Sequence, residues 1–163
     1  MELYVTVVVP KNQLALCCRR HPDYSKSGDR YKLDQRDPEY LNQLIHLIHS
    51  ASDNQIVVNM DKPANRRCKA ALDAYNRAHP GQELSQADLV RHISRQDYKH
   101  SVVSTKNDVD VNRHSAYGDE LHVFKHVKVP GFADTHDTSL YIKIVDPDGA
   151  YPIQVYSLHR DDD

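Results

Sequence analysis

Residues Ser139–Asp163 read SLYIKIVDPDGAYPIQVYSLHRDDD. Two segments rich in β-branched and aromatic residues, Leu140–Val145 and Ile153–His159, flank Asp146-Pro147-Asp148-Gly149, a strong turn signal. Two strands joined by this turn are expected. Side chains alternate along a strand, so Tyr141 and Lys143 share one face of the first, and Ile153, Val155, Ser157 and His159 share one face of the second. Tyr141, Lys143, Tyr156 and His159 are not needed to build a hairpin. The pair is either an ordinary sheet edge with a wet face or a hairpin that carries a site.

Upstream lies another strand, Leu121–Val129. Alternation puts Leu121, Val123, Lys125, Val127 and Val129 on one face and His122, Phe124, His126 and Lys128 on the other. Lys125 interrupts an apolar row, and a buried unpaired lysine is costly, so it must snorkel, pair or face a groove. Ser101–Ser104 is a further candidate strand, and residues 105–119 read as a polar loop. The middle of the chain is helical. Asp37-Pro38 combines an N-cap with proline at the first helical position. The stripe Leu41, Leu44, Ile45 and Ile48, widened by Tyr40 and Leu47, leaves His46 and His49 on the polar side. Gln55–Asn59 is a short strand. Asp61 and Pro63 open a second helix through His79, with Cys68, Ala71, Leu72 and Tyr75 facing the core, and Pro80-Gly81 stops it. Ser85 and Asp88 form an Asp version of the capping box ahead of Leu89, Val90 and Ile93. Leu3–Val9 and Leu14–Cys18 read as strands, and the polar segment 19–37 as a loop. Helices followed by closely spaced strands predict an α+β fold: an antiparallel sheet with helices packed on one face, in a single domain spanning 1–163.

The 163 residues are 39% hydrophobic and 27% charged, a globular composition with no internal repeat. A net charge of -2 gives no global footprint for nucleic acid, although a local basic cleft remains compatible with it. The 3 cysteines, Cys17, Cys18 and Cys68, lack the spacing of a disulfide scaffold or a structural zinc site, and they fit reduced thiols in a cytoplasm. The segment MELYVTVVVPK is apolar but short and has no basic lead, so no signal peptide is expected, and no stretch approaches membrane-spanning length. Histidine is abundant, at 11. No HExxH pattern accompanies the His46/His49 or His122/His126 pairs, and neither a metal nor another cofactor is expected.

Sheet twist and hairpin pairing can bring Tyr141, Lys125 and His159 to one rim. Tyrosine, lysine and histidine together suit metal-free RNA cleavage: histidine moves a proton, lysine neutralises charge on a phosphorane-like transition state, and tyrosine orients the 2′-hydroxyl or the phosphate. Tyr98, Lys99 and His100 stand at an expected helix-to-strand junction, where positive charge also suits a helix C-terminus.

The stretch from Gln96 to His159 resembles the motility quorum-sensing regulator (MqsR) toxins, bacterial mRNA interferases within the wider RelE-like ribonuclease toxins. Those toxins carry Tyr-Lys-Ser after a helix, a strand ending in Val-Tyr-Arg-Pro, then Val-Tyr-Leu-Lys-Ile, and Val-Ser-Phe-Lys near the end. Here the corresponding elements are Tyr98-Lys99-His100, Val127-Lys128-Val129-Pro130, Leu140-Tyr141-Ile142-Lys143-Ile144 and Tyr156-Ser157-Leu158-His159. Residues 96–159 thus resemble the toxin core, and residues 1–85 find no counterpart. The resemblance implies catalytic roles for Lys99, Lys125, Tyr141 and His159. Lys125 stands for a glutamine of the family, and His159 for a lysine. It also implies a cognate antitoxin as partner, and cleavage by 2′-hydroxyl attack without a cofactor.

The basic run Arg19, Arg20, Lys26, Arg30 and Lys32, together with Lys143, is the expected contact to the RNA backbone. A protein-binding or inhibitor protein of bacterial or phage origin, without enzymatic activity, is the alternative reading.

Overall fold

The computed structural model describes residues 32–33, 38–104 and 119–161. The strands expected at Leu3–Val9 and Leu14–Cys18, and most of both loops, lie outside these residues.

The first helix, α1 (Pro38–Ser50), buries Tyr40, Leu41, Leu44 and Ile48, with Ile45 and Leu47 packed at its flanks. His46 and His49 are exposed, as the stripe requires. A short strand, β2 (Ile56–Val58), leads into α2 (Pro63–Ala78), whose Cys68 and Leu72 face the core. Helix α3 (Gln86–Arg91) starts with the expected capping box. The Asp88 N–H donates to the Ser85 hydroxyl oxygen (3.0 Å), and the Ser85 N–H donates to the Asp88 carboxylate (2.7 Å). Behind this cap Leu89, Val90 and Ile93 are fully buried.

The remaining strands are β1 (Lys32–Leu33), β3 (Tyr98–Val103), β4 (Glu120–Val127), β5 (Leu140–Val145) and β6 (Ile153–Arg160). Among the described residues they form one sheet with β2, in the order β1-β3-β4-β5-β6-β2. The α+β class holds, with helical residues and one sheet face sharing a single apolar core. Three expectations change. The sheet is mixed rather than antiparallel, because β2 pairs parallel with β6. Residues 32–33, expected in a loop, pair with Val102 and Ser101 of β3. Tyr98, Lys99 and His100 belong to β3, after a single 3-10 turn at Arg95–Asp97, so no helix C-terminus explains their charge.

The seam between α2 and β6 depends on one buried amide. Asn65, fully buried, donates from Nδ2 to the carbonyls of Asn59 and Tyr156, and its Oδ1 accepts the Leu158 N–H at 2.9 Å. β2 ends at Val58 and pairs with β6 only as far as Val155, so these backbone groups have no strand partner, and one side chain supplies both donor and acceptor.

Candidate functional site

All three ladders that involve the two central strands, β4 and β5, are irregular. Between β3 and β4, Tyr98 pairs with Phe124 and His100 with Val123, so Lys99 is the extra residue. Between β4 and β5, Phe124 pairs with Ile142 and Val127 with Leu140, so Lys125 and His126 together oppose Tyr141. Between β5 and β6, Lys143 pairs with Ser157 and Ile144 with Val155, which leaves Tyr156 extra. Each bulge interrupts the alternation of side chains and re-aims the residues beyond it.

This corrects two face assignments. Leu121 and Val123 form a small cluster on the side away from the helices, whereas Val127 and Val129 join the helix-side core with Phe124. On β6, Ile153 and Val155 face the helix-side core, as does Leu158 beyond the bulge, while Ser157 and His159 pair with Lys143 and Tyr141 on the other side. The interrupted apolar row on β4 is therefore two half-rows, and Lys125 stands where they change face.

His126 takes φ 60°, in the left-handed region. That conformation costs an L-residue roughly 1–2 kcal/mol. Asp161 holds it in place. The His126 N–H donates to Asp161 Oδ2 at 2.6 Å, and the His126 ring Nδ1 lies 2.9 Å from the same oxygen.

With the chain re-aimed, three of the four expected catalytic residues converge. Tyr141 and His159 are direct partners across β5 and β6, their rings stacked at 4.9 Å and 17°. Lys125 Nζ lies 5.5 Å from the centre of the Tyr141 ring. All three are half-buried. His159 Nδ1 is 2.6 Å from the carbonyl oxygen of Arg160. A carbonyl only accepts, so Nδ1 carries the proton and Nε2 keeps the lone pair of the neutral ring. The imidazole is thus set to take a proton at Nε2 while its face rests on Tyr141. Lys99 is not joined to this row: it is exposed in the β3 bulge, with β4 between it and Tyr141.

One step along β5 is a second cationic group. Lys143 Nζ lies 5.5 Å from the centre of the Tyr156 ring, and Lys62 Nζ lies 3.4 Å from the same centre while donating to the Ser157 hydroxyl at 3.1 Å. Lys62, ahead of α2, has no distinguishing signal in the sequence, because only the parallel docking of β2 brings it beside β6. Of the expected RNA-contact residues, Lys143 is therefore on the same face as the row. Arg19, Arg20, Lys26 and Arg30 lie outside the described residues, and Lys32 is in β1 at the far edge of the sheet.

The helix side holds a different polar group, which sequence reasoning missed. His122 is fully buried, and its Nε2 lies 3.1 Å from Asp146 Oδ2. The Tyr40 hydroxyl, from α1, donates to the same carboxylate oxygen, and the Asp148 N–H donates to Oδ1 at 2.8 Å. Burial alone would push the Asp146 carboxyl up. The His122 hydrogen bond and charge, the Tyr40 hydroxyl and the Asp148 N–H outweigh it and hold the group down at about 2. Glu120 is the neighbour on β4, and donor atoms of Glu120, His122 and Asp146 all lie within 4.8 Å of one another. Two carboxylates and an imidazole are a donor set that accepts Zn²⁺ or Mn²⁺. In the geometry described, the Asp146 carboxylate is occupied by hydrogen bonds instead. Alternation marked His122 only as opposite the apolar row, and Asp146 read as an ordinary turn residue.

Comparison with protein-family models, with curated proteins and with solved structures returns no match to this chain. Among the described residues, no helix is long and apolar enough to cross a membrane.

Proposed function

We propose that this protein is a metal-independent endoribonuclease of the mRNA interferase kind, with a RelE-like toxin architecture, and that it acts in the cytoplasm under the control of a cognate antitoxin. The observation that supports the reading is the stacked Tyr141–His159 pair with Lys125 beside it, on the sheet face turned away from the helices. His159 Nε2 takes the proton of an RNA 2′-hydroxyl. The freed oxygen attacks the adjacent phosphorus, the bond from phosphorus to the 5′-oxygen breaks, and water protonates the departing oxygen. The products are a 2′,3′-cyclic phosphate and a 5′-hydroxyl. Lys125 offsets the charge that grows on the phosphoryl oxygens, and the Tyr141 hydroxyl orients the reacting group. DNA lacks the attacking hydroxyl and is not a substrate. Lys143 and the basic run at 19–32 supply contacts to the backbone away from the reacting phosphate.

The experiment is incubation of pure protein with a mixed RNA pool in EDTA, followed by mapping of the new ends. Cyclic phosphate and 5′-hydroxyl ends are expected. Intact RNA, or cleavage that requires a divalent ion and leaves 5′-phosphates, overturns the reading.

A further inference from the structure

We infer that Asp161 is the positioning residue of the Lys125–Tyr141–His159 row: one carboxylate that fixes the relative placement of the three strands carrying it. As a claim about catalysis this rests on the function proposed above; as a claim about placement it stands on geometry alone.

Each of the three strands meets Asp161 within two residues of its site residue. On β4, the carboxylate accepts the backbone N–H of His126, the residue after Lys125, and holds the His126 ring. At the start of β5, the Ser139 hydroxyl, two residues before Tyr141, lies 3.1 Å from Asp161 Oδ2 and 2.9 Å from the His136 carbonyl oxygen, and its one proton is shared between the two acceptors. Asp161 itself comes just after β6, two residues beyond His159, and its own N–H donates to the Ser139 carbonyl at 2.9 Å, which extends the β5–β6 ladder past Leu140 and Arg160. The Asp161 side chain is only 9% exposed, so these donors replace water rather than compete with it.

The β4 bulge makes such a clasp necessary. With two residues opposing Tyr141, the position of Lys125 depends on the His126 backbone, and that backbone is in a conformation that relaxes unless something retains it. Asp161 Oδ2 retains it by taking the His126 N–H that the interrupted ladder releases. The outer side of the clasp is occupied by His136, whose ring stacks on His126 at 5.2 Å. Releasing the carboxylate frees the β4 bulge and the end of β6 together. It then alters both the Lys125–Tyr141 distance and the His159–Tyr141 stack.

The test compares wild type with Asp161→Ala, Asp161→Asn and Ser139→Ala by two readouts. The first is the NMR shift of the His159 ring protons, which sit in the ring current of Tyr141 and need no RNA. The second is single-turnover cleavage of an RNA selected from the cleaved pool, with binding measured on its 2′-O-methyl analogue. Asp161→Ala is expected to move the His159 shift toward that of an unstacked histidine. It should also lower the cleavage rate about 10²-fold, the usual cost of a displacement near 1 Å, with affinity changed by less than about threefold. Asp161→Asn keeps an acceptor oxygen for the His126 N–H and should recover most of both. If Asp161→Ala fails to fold, Ser139→Ala and Asp161→Asn carry the comparison, with smaller shifts in the same direction. An unchanged His159 shift in the folded variants overturns the inference, as does wild-type cleavage in Asp161→Ala. If wild type cleaves no RNA, the proposed function fails, and the His159 shift still decides whether Asp161 sets the row.

Discussion

Tyr40–His122–Asp146 and Lys125–Tyr141–His159 are both tyrosine-histidine clusters on opposite faces of one sheet, the first built on β4 and the residue just after β5, the second on β4, β5 and β6. In the first, a carboxylate gathers a fully buried imidazole, a phenol and a backbone N–H. In the second, the carboxylate is replaced by an ammonium group, the imidazole is half-buried, and its free nitrogen is not taken by the backbone. Similar side chains therefore do different things. In the first cluster the Asp146 carboxylate is taken up by internal donors that tie α1 to the sheet, and the imidazole is sealed from solvent, with its Nδ1 buried and unpartnered. The second keeps a proton acceptor and a positive charge at a surface, which is the arrangement an anionic substrate needs.

The comparison breaks most sharply at the two histidines. His159→Ala should lower RNA cleavage by roughly 10²–10⁴-fold, the usual contribution of a general base, and change stability by no more than about 1 kcal/mol, since only a half-buried stack is lost. Unfolding in urea and a cleavage assay on the same sample check this. A variant that loses stability but keeps its rate would move His159 into the structural class with His122.

Acid should act on the other cluster. The Asp146 carboxyl lies at about 2 in the folded chain, against about 3.9 for an unfolded aspartate. A depressed folded value contributes stability that is fully present above the unfolded one and is lost as pH falls through the folded one. The contribution is about 2 kcal/mol, intact down to about pH 5 and gone just below pH 2. Asp146→Asn should remove that share of the acid sensitivity. The measurement is the difference in unfolding free energy between the two proteins as a function of pH, and parallel curves would contradict the value assigned to Asp146.

The smallest effect is expected at Lys143, beside the row rather than in it. Lys143→Met should weaken binding of the 2′-O-methyl RNA a few-fold and reduce the slope of log affinity against log salt by about 0.7, one phosphate contact on a single strand. The slope, measured across salt concentrations, separates a phosphate contact from a packing role, which would leave it unchanged.

How legible these features were depended on the range of the interactions that make them. Helices α1, α2 and α3 could be read because Pro38, Pro63 and the Ser85/Asp88 box are local signals and the apolar stripes are periodic. The turn after β5 was equally local: Asp148 and Gly149 both take positive φ there. The meeting of Tyr141 and His159 came from hairpin pairing. The bulges did not show, because none is marked by glycine. At Lys125-His126 the left-handed residue is a histidine held by Asp161, 35 positions away. Without the bulges, period-2 counting carried Val127 and Val129 to the wrong face. The parallel pairing of β2 with β6 and the joining of Tyr40 to His122 and Asp146 were hidden for the same reason: partners distant in sequence leave no periodic trace.

Asn65 gives the sheet and a helix a shared clock. The Leu158 N–H belongs to a strand but is bonded to a side chain of α2. Its exchange with solvent deuterium should therefore track the undocking of that helix, in step with the amides of α2 rather than with those of β5. If Leu158 instead exchanges with its strand neighbours, the strand opens without waiting for the helix. If the two move together, α2, β2 and the outer half of β6 form one cooperative unit, and the face bearing His159 is only as durable as the attachment of a helix on its far side.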